Sequence, residues 1–154
     1  MIEEPRVVQM PAQLVAAIHI ETPRSRIQEV MGPGIQEAMV AARAQGVGPA
    51  GPWFAHHLKV SREQFVLDIC IPVSSPVTPT GRVKPAERPA MRAVRTVYRG
   101  TYEDLGEAWH AFEKCIQDQG LDTAADMYEC YLVGPESSQD PADWQTELCR
   151  PLLD

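Results

Sequence analysis

Two periodicities divide the chain. Apolar residues recur at helical spacing at Ile27, Val30, Met31, Ile35, Ala38, Met39 and Ala42. They do so again at Leu105, Ala108, Trp109, Phe112, Cys115 and Ile116, a single stripe that predicts one amphipathic helix. Gly46 and Gly120 stand where these helices should stop. Between them the pattern shortens to strand alternation. Val7 to Glu21 reads as a strand bent at Pro11, and Trp53 to Val60 and Gln64 to Val73 as two strands joined at Ser61-Arg62-Glu63. Ala90 to Arg99 reads as another strand. Tyr128 to Leu132 and Trp144 to Pro151 form a hairpin around an acidic polar loop. Asp68 and Glu147 are lone carboxylates inside strands that otherwise favour apolar residues. Proline inside a helix costs about 3 kcal/mol. Gly32-Pro33-Gly34 therefore predicts a break in the first helix, leaving a short segment free to act as a lid. Thr101, three residues before Asp104, has the form of a capping box for the second helix.

The elements repeat. Residues 1–75 and 88–154 each read strand, helix, glycine, strand, strand, and a Pro-rich linker over 76–87 separates them. Asp68-Ile69-Cys70-Ile71-Pro72 matches Glu147-Leu148-Cys149-Arg150-Pro151, and Gly46 matches Gly120. His57 falls at the position of Tyr131. Halves of this size bury little alone. The pattern predicts a single α+β domain over 1–154. Its duplicated β-α-β-β halves, with antiparallel sheets, should be related by a pseudo-two-fold with a pocket between them.

Composition narrows the function. The net charge of −7 argues against direct nucleic-acid binding, and the one basic run (Arg82, Lys84, Arg88, Arg92, Arg95, Arg99) reads as a solvated face. No apolar run reaches the roughly 18 residues of a membrane span, and the first residues lack the form of a signal peptide, so a cytoplasmic protein without a membrane partner is expected. Cys70, Cys115, Cys130 and Cys149 show no CxxC spacing, and His56-His57 has no companion ligands nearby. Buried free thiols are expected, and neither a metal nor a cofactor.

Gly100-Thr101-Tyr102-Glu103-Asp104-Leu105-Gly106-Glu107-Ala108-Trp109, then Tyr128-Glu129-Cys130-Tyr131-Leu132 and Asp140-Pro141-Ala142-Asp143-Trp144-Gln145-Thr146-Glu147-Leu148, resemble the GyrI-like domain. This is also the effector-binding module of multidrug-responsive bacterial transcription regulators. The resemblance covers the whole chain and implies a pocket in which a buried Glu meets lipophilic cations among aromatic walls. Glu147 would hold that Glu position. The physics agrees, since a delocalised cation gives up little hydration on entering a desolvated site. Tyr131, Trp109 and Trp53 are candidate walls, with core packing as their alternative. Asp68 is a candidate second acidic wall and His57 a candidate pocket residue, against structural roles for both. Trp144 reads as a clamp on the turn. The expected partner is a drug-like or toxic cationic aromatic molecule. The resemblance also admits a hydrolase of cyclopropane-bearing genotoxins using Glu147 and Tyr131, or a gyrase-modulating protein.

Overall fold

The computed structural model describes residues 2–135 and 137–153, with Val60 in its backbone only. It is an α+β chain whose strand pairings are antiparallel. The strands are β1 (Arg6–Met10), β2 (Gln13–Pro23), β3 (Phe54–Val60), β4 (Gln64–Pro72), β5 (Lys84–Arg88), β6 (Met91–Arg99), β7 (Met127–Val133) and β8 (Gln145–Pro151). The helices are α1 (Ile27–Ala44) and α2 (Leu105–Asp118).

Two compact units result. The contiguous unit, Pro11–Ala90, orders its strands β3-β4-β2-β5 and packs α1 on β2 and β4. The split unit joins the residues up to Met10 with those from Met91 onward, orders its strands β1-β6-β8-β7 and packs α2 on β6. Both follow the strand-helix-strand-strand plan expected from the repeat. The helix ends match as well. Gly46 (φ +70°) and Gly120 (φ +68°) adopt the left-handed conformation that closes a helix. Each has the paired bonds of a Schellman cap: Gly46 N to Arg43 O and Val47 N to Ala42 O, then Gly120 N to Gln117 O and Leu121 N to Ile116 O.

Several expectations need correction. The strand predicted over Val7 to Glu21 is two strands, and Pro11-Ala12 carries the chain from one unit to the other. Helix α1 is not broken at Gly32-Pro33-Gly34 but runs through Pro33 for 18 residues. Gly34 serves packing: a Cβ there would lie 2.6 Å from Ile69 Cδ1, so the close approach of the helix to β4 relies on that position having no side chain. The lid reading rested on the break and falls with it. The stretch read as a linker ends in β5, whose Pro85 pairs opposite Ala16; an edge strand tolerates the missing N–H. Thr101 makes no side-chain cap, and its carbonyl instead accepts the Tyr98 hydroxyl at 2.8 Å. Gly100 (φ +139°) leaves room for that hydroxyl, which a Cβ there would approach to 2.7 Å.

In the split unit the core is Val94, Tyr98, Ala108, Phe112, Ile116 and Leu148. Arg150, itself mostly buried, ties the segment after α2 by bonding Glu113, Thr123 Oγ1 (3.0 Å) and the Ala124 carbonyl (2.6 Å). No disulfide joins the four cysteines, and Cys70 and Cys149 are buried.

Candidate functional site

Register decides which side chains can meet. On β7 and β8, Glu129 stands opposite Leu148 and Tyr131 opposite Thr146, so these four share one sheet face. Leu148 belongs to the core beneath α2, which identifies this as the α2 face. Glu147 pairs opposite Cys130 and Val97 and therefore projects to the other face.

The α2 face carries a carboxylate in an aromatic setting. Glu129 is only 7% exposed. Trp109, on the apolar stripe of α2, donates its indole N–H to Glu129 Oε2 at 3.1 Å, and the Tyr131 hydroxyl donates to Oε1 at 3.4 Å. Both are neutral donors that orient the carboxylate. Burial, and secondarily the charge of Glu129, hold the Tyr131 phenol well above its ordinary range, so it stays protonated as a donor. A β-bulge after Tyr131 bends the end of β7, a common device for re-aiming a side chain.

Tyr102 and Trp144 extend the cluster. The Tyr102 ring lies 5.0 Å from that of Trp144 and meets Tyr131 edge-on at 6.0 Å, while 38% of the residue remains exposed. Trp144 is clamped by its indole N–H to the Ser138 carbonyl at 3.0 Å, and its own carbonyl accepts Gly100 N–H. Asp140 caps the short turn before it through Ala142 N–H, and Ser138 bonds Asp143. Trp109 also packs on Phe112 at 5.7 Å, joining the cluster to the core.

The other residues singled out from sequence lie elsewhere. Glu147 forms an ion pair with Arg95 at 2.9 Å, both groups being mostly buried. Asp68 bonds His19 Nδ1 at 2.8 Å, and His19 Nε2 bonds Glu21 at 2.9 Å. These two bonds raise the His19 pKa, Asp68 contributing more. The three lie on the half of β2 and β4 turned away from Ile69 and hence from α1. His57 is buried and packs on Phe65 at 5.8 Å, followed by a bulge in β3 like the one after Tyr131. Trp53 is half-buried just ahead of β3. Of the six candidates, Tyr131 and Trp109 are thus brought together, around Glu129. That residue sequence reasoning passed over, although it too is a lone carboxylate between aromatic and apolar strand residues. The basic run is largely tied up in its surroundings, with Arg82 on Glu37, Arg95 on Glu147 and Arg99 on Glu3.

A cavity of about 620 Å³ lies in the contiguous unit between α1 and the segment before β5, bordered by Pro33, Glu37, Val40, Thr80, Gly81 and Val83. None of the candidates lines it. Its one acidic group is already paired, Glu37 with Arg82 at 2.8 Å, so it offers apolar surface without an uncompensated charge. Among the described residues no group of His, Cys, Asp and Glu is arranged to hold a metal, and no helix is long and apolar enough to cross a membrane.

The fold has close counterparts. The crystal structure of the EcmrR C-terminal domain superposes with a TM-score of 0.84 at 22% identity, covering 97% of both chains. EcmrR in its complex with DNA matches at the same TM-score and 21% identity over 98% of this chain, which spans just 57% of that one. SAV2435, solved bound to tetraphenylphosphonium, matches at a TM-score of 0.69 and 12% identity, covering 98% of this chain and 94% of its own. No curated protein sequence matches the chain. Identities this low speak to the fold, but the family model is specific: it matches residues 3–153, and the chain belongs to the GyrI-like small molecule binding domain family.

Proposed function

We propose that the split unit binds lipophilic cationic aromatic molecules, with Glu129 as the counter-charge and Trp109, Tyr131, Tyr102 and Trp144 as walls. The observation that carries this reading is the Glu129 carboxylate, buried yet oriented by two neutral aromatic donors. A small cation would lose too much hydration there, whereas a delocalised one keeps its charge close and stacks on the rings. Shape is tolerated and sign is not, which fits a broad set of ligands. The tetraphenylphosphonium held by SAV2435 is such an ion and makes a suitable first probe. Glu147, the charge singled out by sequence, already faces Arg95, so the counter-charge role passes to Glu129 in this reading.

Titration of wild type and Glu129→Gln with tetraphenylphosphonium tests it. Loss of the charge should weaken binding by about 10- to 100-fold, the ~1.5–3 kcal/mol of a charged contact. Equal affinity in the two proteins would refute the assignment. A second reading has its own support, since a protonated Tyr131 hydroxyl beside a carboxylate is a general acid next to a base. It requires turnover of an electrophilic substrate that both Tyr131→Phe and Glu129→Gln abolish.

A further inference from the structure

Several polar side-chain atoms of the aromatic cluster have protein partners. Trp109 and Tyr131 bond Glu129, Trp144 bonds Ser138, and Tyr98 bonds Thr101. Thr146 is 0% exposed, and its Oγ1 has no hydrogen-bond partner among the described residues. Register puts it opposite Tyr131 on one side and Tyr98 on the other, two residues after Trp144, on the same face as Glu129. Valine has the same shape and would fill a buried strand position without leaving a hydroxyl unmet. A hydroxyl kept at the floor of a binding cluster calls for a partner from outside the chain.

We propose that Thr146 is a specificity-determining residue of this site. Its hydroxyl bonds a polar atom carried on the ligand's ring system away from the positive charge. The inference rests on the binding reading above and narrows its ligand class to cationic aromatics that bear a hydroxyl, amine or carbonyl. The ring of Tyr131, half-buried and held to Glu129 by a long 3.4 Å bond, is the cover that such a ligand displaces to reach Thr146.

The test compares tetraphenylphosphonium with its 4-hydroxyphenyl analogue by calorimetry on wild type, Thr146→Val, Thr146→Ser and Glu129→Gln. In wild type the hydroxylated ion should bind about 5- to 10-fold tighter, the yield of one added hydrogen bond. Thr146→Val should abolish that advantage while leaving tetraphenylphosphonium within about twofold, and Thr146→Ser should keep it. A merely structural Thr146 would shift both ligands together and overturn the proposal. So would an advantage that survives in Thr146→Val, or one absent from wild type. If Glu129→Gln weakens both ions while Thr146→Val changes neither, the role of Thr146 alone is rejected. If Glu129→Gln changes nothing, the binding reading falls and takes this inference with it.

Discussion

Glu129 and Glu147 sit on neighbouring strands and differ in what faces them. Arg95 pairs with Glu147, whereas the Trp109 indole and the Tyr131 phenol donate to Glu129. Glu147→Gln should therefore change tetraphenylphosphonium affinity less than about threefold, yet lower stability by about 1–3 kcal/mol, because Arg95 is left without its carboxylate. Calorimetry and urea unfolding on one sample separate the two effects. Thr146→Val should raise the urea midpoint, by about 1 kcal/mol in stability, since it removes an unmet buried hydroxyl. The sequence shows both glutamates as lone carboxylates inside strands. What it cannot show is the register, and only the pairing of Glu129 with Leu148 puts one of them on the α2 face. Trp109 could be read from the apolar stripe of α2, whereas Tyr131 came from the family resemblance, since its strand face also carries Glu129.

At the level of elements, the repeat, both hairpins and the glycine-capped helices were legible, since each has a short-range cause. The continuity of α1 was not. A Gly-Pro-Gly run reads as a break until the sheet beneath it shows that Gly34 is needed for close approach. The two glycines should then behave differently. Gly34→Ala drives a methyl into Ile69 within a closed core and should cost about 1–3 kcal/mol. Gly32→Ala meets nothing within 4 Å beyond its chain neighbours, but its methyl crowds the Pro33 ring, which opposes the gain in helix propensity, so stability should change by less than about 1 kcal/mol. Thermal melts of the pair check the contrast. Strand β5 was hidden for a related reason: its proline is compatible only with an edge, and sequence does not reveal which strand is the edge.

For the molecule as a whole, pH dependence follows from the groups whose folded pKa is shifted. Burial, with Asp68 second, pushes the Cys70 thiol from about 9.0 up to about 12, and Tyr131 is raised too. A raised acid contributes stability below its unfolded pKa and loses it as pH climbs toward the folded value. Stability should therefore fall from about pH 9 upward through Cys70 and from about pH 10 upward through Tyr131, at ~1.4 kcal/mol per pH unit for each group. Cys70→Ala should flatten that slope in urea midpoints taken between pH 9 and 11. His19 acts in the same sense at lower pH: its contribution is whole below 6.5 and is lost as pH rises through its raised folded value. Glu37, lowered from 4.5 by Arg82, works in the opposite direction, and its contribution is lost on acidification.

Strand β1 belongs to the split unit, yet it precedes the whole of the contiguous one. Val8 pairs with Ala93, 93 − 8 = 85 residues later, so the intervening unit can close before that pairing is possible. During synthesis from the N-terminus, β1 must wait for β6 to be made, while every strand of the contiguous unit already has its partner. The aromatic cluster around Glu129 is completed only with β7 and β8, which follow the whole contiguous unit in the chain. A chain stalled near residue 90 would hold one finished unit and no binding cluster, and its unpaired β1 edge would be the natural point for a chaperone or a second nascent chain to attach.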